Sequence, residues 1–169
     1  FIVAPLLDAL EIVHASSYLH RDISPDNIML RPDGTPCLLD FGSAREAIGR
    51  ETTSLTAIVK SGFSPPEQYL SEGRGQGPWT DIYALAATLF LAVTGDRPPE
   101  ATERMLDPST TPLAAKIAGR QYRQNFLAAI DWGLGLRPED RPESVSHWRL
   151  ALYASDVSQP ADTAEKPAA

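Results

Sequence analysis

The chain has 169 residues, 43% of them hydrophobic, enough apolar side chains for one sizeable core and a single domain. Its formal net charge of -7 argues against nucleic acid as the main partner, because phosphate backbones call for a basic face. The single cysteine, Cys37, excludes an internal disulfide and is compatible with a reducing compartment such as the cytoplasm.

Leu6, Leu7, Leu10 and Val13 recur at helical spacing, which predicts an amphipathic helix over residues 5–19 with Pro5 in its first turn. No basic leader precedes it, so no signal peptide is expected. Two short apolar runs, residues 28–30 and 37–39, flank the turn signal Pro32-Asp33-Gly34 and read as a β-hairpin. Cys37 is expected there as a small buried strand residue rather than a reactive thiol. Residues 43–64 are rich in Ser, Thr and Gly, which predicts a long surface segment of the kind that usually carries function.

Thr80-Asp81 opens an almost wholly apolar run over residues 82–93 that stops at Thr94-Gly95. A helix apolar all round belongs at the centre of a core, and Gly95 suits its end. The apolar stretch 84–93 is about half of a membrane span, so no membrane segment is expected within these residues. One or two short helices are expected over residues 100–120. Phe126, Leu127, Ile130 and Leu134 predict another amphipathic helix, and Val145, Trp148, Leu150 and Leu152 a last one. From Ser155 onward Pro, Ala, Asp and Glu replace apolar residues, so residues 155–169 read as a disordered tail.

The chemistry concentrates in Tyr18-Leu19-His20-Arg21-Asp22-Ile23-Ser24-Pro25-Asp26-Asn27, with Asp40-Phe41-Gly42 following thirteen residues after Asn27. Asp22, on a short loop between helix and strand, is a candidate general base. Asn27 offers a carbonyl oxygen and Asp40 a carboxylate to a hard cation such as Mg2+. The hairpin returns the chain so that the two can face each other. The bland alternative is a helix-capping Asp22 and a tight turn at Phe41-Gly42.

In order and at this spacing, these motifs resemble the catalytic and metal loops of the protein kinase family. The resemblance covers most of residues 1–154. It implies a mainly α fold with a small β-hairpin, the large C-terminal lobe of a kinase, with the small N-terminal lobe missing as a partner. Pro65-Pro66-Glu67 matches the Ala-Pro-Glu element, with Pro for Ala. Asp81 matches the aspartate that holds the catalytic loop through backbone hydrogen bonds. Arg141 matches the arginine that pairs with that glutamate, so Glu67 and Arg141 should form a mostly buried ion pair. Carried over further, Met29 should floor the adenine of ATP. His20 and Phe41 should stack in an apolar column beside Gly42, and Ser24 and Asp26 should border the phosphates. Arg21 takes the place of the arginine that binds a phosphorylated activation segment. Thr52, Thr53, Ser54 and Thr56 are then candidate phosphorylation sites, against a merely solvated loop.

Two departures from the family pattern look linked. The lysine usual two residues after the catalytic aspartate is Ser24, and the threonine usual seven residues before the glutamate is Lys60. Lys60 is therefore expected to reach over Asp22 and supply the charge that Ser24 lacks. The implied activity is ATP- and Mg2+-dependent phosphorylation of Ser or Thr on protein substrates, of a bacterial-like type. A pseudokinase-like scaffold and a small-molecule kinase of related fold are the alternatives. Without a Gly-rich phosphate loop, residues 1–169 alone are expected to be inactive.

Overall fold

A computed structural model describes residues 2–43, 45–46, 59–70, 75–110, 114 and 121–155. Helix α1, Val3–Ala15, turns Leu6, Leu7 and Leu10 inward. It stops four residues short of the expected end. Ser16 spends both its N–H and its hydroxyl on the carbonyl of Ile12, and Ser17 takes a left-handed φ of 61°. Tyr18–Leu19 then forms strand β1 instead of a helical turn, burying Leu19. A one-turn 3-10 helix at Pro25–Asn27 leads into β2, Ile28–Leu30, which pairs antiparallel with β3, Pro36–Leu38.

The hairpin register sets Ile28 opposite Leu38, Met29 opposite Cys37 and Leu30 opposite Pro36. Its turn closes through Arg31 and Thr35, while Asp33 accepts the Thr35 N–H at 2.8 Å. That bond holds the Asp33 carboxyl below its usual range. Cys37 lies on β3 but is only half-buried, because the hairpin covers it on one side. A two-residue strand β4, Arg45–Glu46, pairs antiparallel with β1.

The core is organised around α2, Pro78–Thr94. Every residue from Thr80 to Ala87 is buried, as its apolar sequence requires. The helix begins two residues before the expected opening at Thr80-Asp81, since Pro78 fits a first helical position. It ends at Gly95, whose φ is 82°. Helix α3, Ala101–Leu106, and a 3-10 turn at Pro108–Thr110 follow.

Helices α4, Gln124–Gly133, and α5, Val145–Tyr153, pack against α2 and each other. A Cβ on Gly133 would lie 2.7 Å from that of Ala86, so glycine lets α4 approach α2 closely. Trp148 is buried and donates its indole N–H to Ala129 at 2.7 Å, joining α5 to α4. Leu150 does not share that face. It is 74% exposed, because Val145, Trp148 and Leu152 already define the inward stripe. On the surface, Arg149 of α5 straps α1 through Asp8 at 2.7 Å and Glu11 at 3.1 Å.

The segment expected on the surface over residues 43–64 turns inward at its end, where Phe63 and Ser64 are buried. Of the expected tail, Ser155 is described, its carbonyl accepting from Asn125 at 2.7 Å. Residues 156–169, and Thr52, Thr53, Ser54 and Thr56, lie outside the described residues. Among the described residues, no helix is long and apolar enough to cross a membrane.

Candidate active site

The loop between β1 and β2 is held from beneath by α2. The buried Asp81 carboxylate accepts the N–H groups of His20 at 2.9 Å and Arg21 at 2.8 Å. It also meets His14 Nε2 at 2.8 Å. Arg21 adopts φ 68°, a left-handed conformation that a side chain makes costly. The Asp22 N–H donates to His20 Nδ1 at 3.3 Å. His20 therefore carries its ring proton on Nε2 and donates it to the Leu39 carbonyl at 3.0 Å. The His20 and Phe41 rings lie 4.7 Å apart and tilted.

Asp22 is the centre of a compact polar cluster. Its side chain is 9% exposed. One carboxylate oxygen accepts Asn27 Nδ2 at 2.8 Å, and the other lies 3.1 Å from Lys60 Nζ. Lys60 also donates to the buried Ser24 hydroxyl at 2.9 Å and stands 3.9 Å from Asp26, whose side chain is 84% exposed. The ammonium of one loop and the hydroxyl of the other are thus in direct contact.

The turn that carries Lys60 has its own anchors. Lys60 N–H donates to Ser64 Oγ at 2.9 Å, and Ser61 Oγ donates to Glu100 at 2.6 Å. Gly62, at φ 81°, passes so close to Pro98 that a Cβ would sit 2.7 Å from its carbonyl oxygen. Only glycine meets both demands.

Asn27 spends its amide nitrogen on the Asp22 side chain and, at 2.6 Å, on the Asp22 carbonyl. That leaves the amide oxygen facing the other way. The hairpin ladder runs one residue past the strands, with Leu39 N–H donating to the Asn27 carbonyl at 2.8 Å, so that Asp40 follows one residue beyond this pairing. Asp40 is exposed, at φ 57°, and accepts the Gly42 N–H at 3.0 Å. No group of three or more His, Cys, Asp and Glu is gathered among the described residues. The donors here are instead one amide oxygen and one carboxylate. That set suits Mg2+, which takes few protein ligands and leaves its other positions to phosphate and water.

The platform behind the loop rests on Glu67 and Arg141. The guanidinium grips the carboxylate with both prongs, at 2.7 and 3.0 Å, and both side chains are buried. Arg141 also donates to the carbonyls of Gly135, Leu136 and Trp79, and lies 4.9 Å over the ring of Tyr83. Burial pushes the Tyr83 phenol up, and that phenol accepts from Arg104 at 3.1 Å. Thr80 donates to Glu67 at 3.0 Å and caps α2 by accepting the Gly77 N–H.

Three contributors were missed from sequence. His14 continues the stripe of Leu6, Leu7 and Leu10 at helical spacing, so its inward place was legible. Gln68 and Gln76 carry no periodic signal. Gln76 Oε1 accepts from Arg21 Nε at 2.7 Å, and Gln68 Nε2 donates to the Arg21 carbonyl at 2.7 Å. Met29 is half-exposed on β2, on the hairpin side of the loop.

A family profile described as "Protein kinase domain" matches residues 1–143. The chain is 35% identical over 170 residues to serine/threonine-protein kinase PknA of a Nostoc species, covering 94% of this chain and 28% of that protein. It is 39% identical over 162 residues to serine/threonine-protein kinase F of a Synechocystis species, covering 94% of this chain and 32% of that protein. Among solved structures, "PpkA-294 apo form" superposes with a TM-score of 0.74 at 36% identity, covering 89% of this chain and 52% of that one. The chain thus spans about a third or less of these curated relatives.

Proposed function

This chain belongs to the protein kinase family, of the bacterial-like Ser/Thr type, and from that premise we propose that it is the large C-terminal lobe of an ATP-dependent protein kinase acting on Ser or Thr. The observation that carries this reading is the Asp22 cluster. Its carboxylate is oriented by Asn27 and Lys60 at the mouth of a loop that Asp81 holds rigid.

In this reading Asp22 orients the acceptor hydroxyl and takes its proton as the γ-phosphoryl passes to the acceptor oxygen and ADP departs. Asn27 and Asp40 would hold Mg2+, which supplies neutralisation of the phosphate charge. Lys60, reaching across from the facing loop, supplies the point charge that Ser24 lacks. Met29 floors the adenine, and the exposed Phe41 and Leu39 meet the N-terminal lobe that completes the nucleotide site.

A radiolabelled-ATP assay on the full-length protein tests the reading. Asp22→Asn should cost about 10²–10⁴ in rate, the usual range for a positioned general base, and Asp40→Asn should abolish Mg2+-dependent turnover. Full activity in both variants would overturn it. Lys60→Ala should lower kcat far more than the control Lys116→Ala, and equal rates would remove Lys60 from the mechanism. Residues 1–169 alone should show negligible transfer in the same assay.

A further inference from the structure

The strained residue before Asp22 is gripped more completely than one partner explains. A left-handed φ on a residue with a side chain costs about 1–3 kcal/mol and persists only where the surroundings over-determine it. Asp81 fixes the peptide N–H groups of His20 and Arg21. The next peptide, between Arg21 and Asp22, lies beyond its reach. Rotation of that peptide would swing the Asp22 carboxylate away from Asn27 and Lys60.

Both ends of that peptide are taken. Its N–H goes to His20 Nδ1 at 3.3 Å, a long bond. Its carbonyl accepts Gln68 Nε2 at 2.7 Å. Gln68 is 3% exposed, and facing a carbonyl it must present its nitrogen, so the bond has one possible polarity. Gln68 is itself anchored through its neighbour. It sits in the 3-10 turn Pro66–Tyr69, directly after Glu67, which Arg141 and Thr80 lock. A second amide on the same side, Gln76, accepts from the Arg21 guanidinium at 2.7 Å.

We propose that Gln68 is a positioning residue for the reaction: its amide pins the Arg21–Asp22 peptide and so transmits the placement of the Glu67–Arg141 platform to the Asp22 carboxylate. The proposal rests on the reading of Asp22 as the base. It gives the buried amide after Pro65-Pro66-Glu67 a task that Glu67 cannot perform, since a carboxylate has no proton to donate to a carbonyl.

The test uses the full-length protein with Gln68→Glu, which keeps the shape and loses the donor, and Gln68→Met, which keeps the bulk without charge. Both should lower kcat about tenfold, the effect of one lost hydrogen bond to a peptide that must stay put, with KM for ATP little changed. The deficit of Gln68→Glu relative to wild type should shrink between pH 8 and pH 6, as the carboxyl regains a proton to donate, and that of Gln68→Met should not. If Gln68→Glu does not fold, the kcat-against-KM split of Gln68→Met decides. Wild-type kcat in the Gln68 variants beside an inactive Asp22→Asn would overturn the proposal. An active Asp22→Asn would instead overturn the reading of the base.

Discussion

The two sides of the loop that carries Asp22 are built in opposite ways. On the platform side His20, Ser24, Gln68, Asp81 and Arg141 are all buried and all hydrogen-bonded. On the hairpin side Met29 is 47% exposed and Phe41 48%. Polar groups are inside on one side, and apolar groups are outside on the other, the reverse of the usual order. A buried polar group is stable only when its partners are present, and here the chain provides them. An exposed apolar surface gains order only from what covers it. On the proposed reading, the half of the site that handles the acceptor supports itself, and the half that handles the nucleotide takes its order from another lobe.

The largest effect should come from Arg141→Ala. It strands the buried Glu67 carboxylate, so urea unfolding should register a loss of about 3–5 kcal/mol. A loss near zero would mean that the platform does not depend on its central ion pair. Asp81→Asn should come next. An amide has one acceptor oxygen where the carboxylate serves two peptide N–H groups, and the orphaned donor costs about 1–3 kcal/mol. Amide exchange at Arg21 should accelerate while the middle of α2 stays protected; uniform acceleration would contradict a local role.

Ser61→Ala removes the donor to Glu100 from an exposed turn, for about 0.5–1.5 kcal/mol in the same unfolding experiment. On the open side, Met29→Ala should change stability by no more than about 0.5 kcal/mol. If Met29→Ala proved as costly as Arg141→Ala, the contrast between the two sides would collapse.

Much of the frame was legible because single signals decided it. The apolar run of α2, closed by Gly95, and the Pro32-Asp33-Gly34 turn each point one way. The end of α1 was not legible. Ser17 turns left-handed where β1 must pair with β4, a partner far along the chain. Leu150 misled because hydrophobicity alone does not say which face is already full. At the site, Asp22, Asn27 and Asp40 announce themselves by residue type and spacing. Ser24 and Lys60 stand out as paired departures from the family loops, and they lie 2.9 Å apart. Gln68 could not be read at all. Its task depends on a backbone carbonyl that only the folded chain brings to it.

Arg141 has a consequence for how the protein meets its medium. A guanidinium offers five N–H groups, and Glu67, Trp79, Gly135 and Leu136 occupy its nitrogens from every side. No donor remains for a dissolved anion, and no water layer separates the charges. At molar ionic strength, where screening acts within about 3 Å, the solvent-facing strap of Arg149 with Asp8 and Glu11 should loosen. The internal clasp should not notice, so concentrated brine would release Arg149 from Asp8 and Glu11 at the rim while the apolar packing of α5 and the foundation under Asp22 kept their shape.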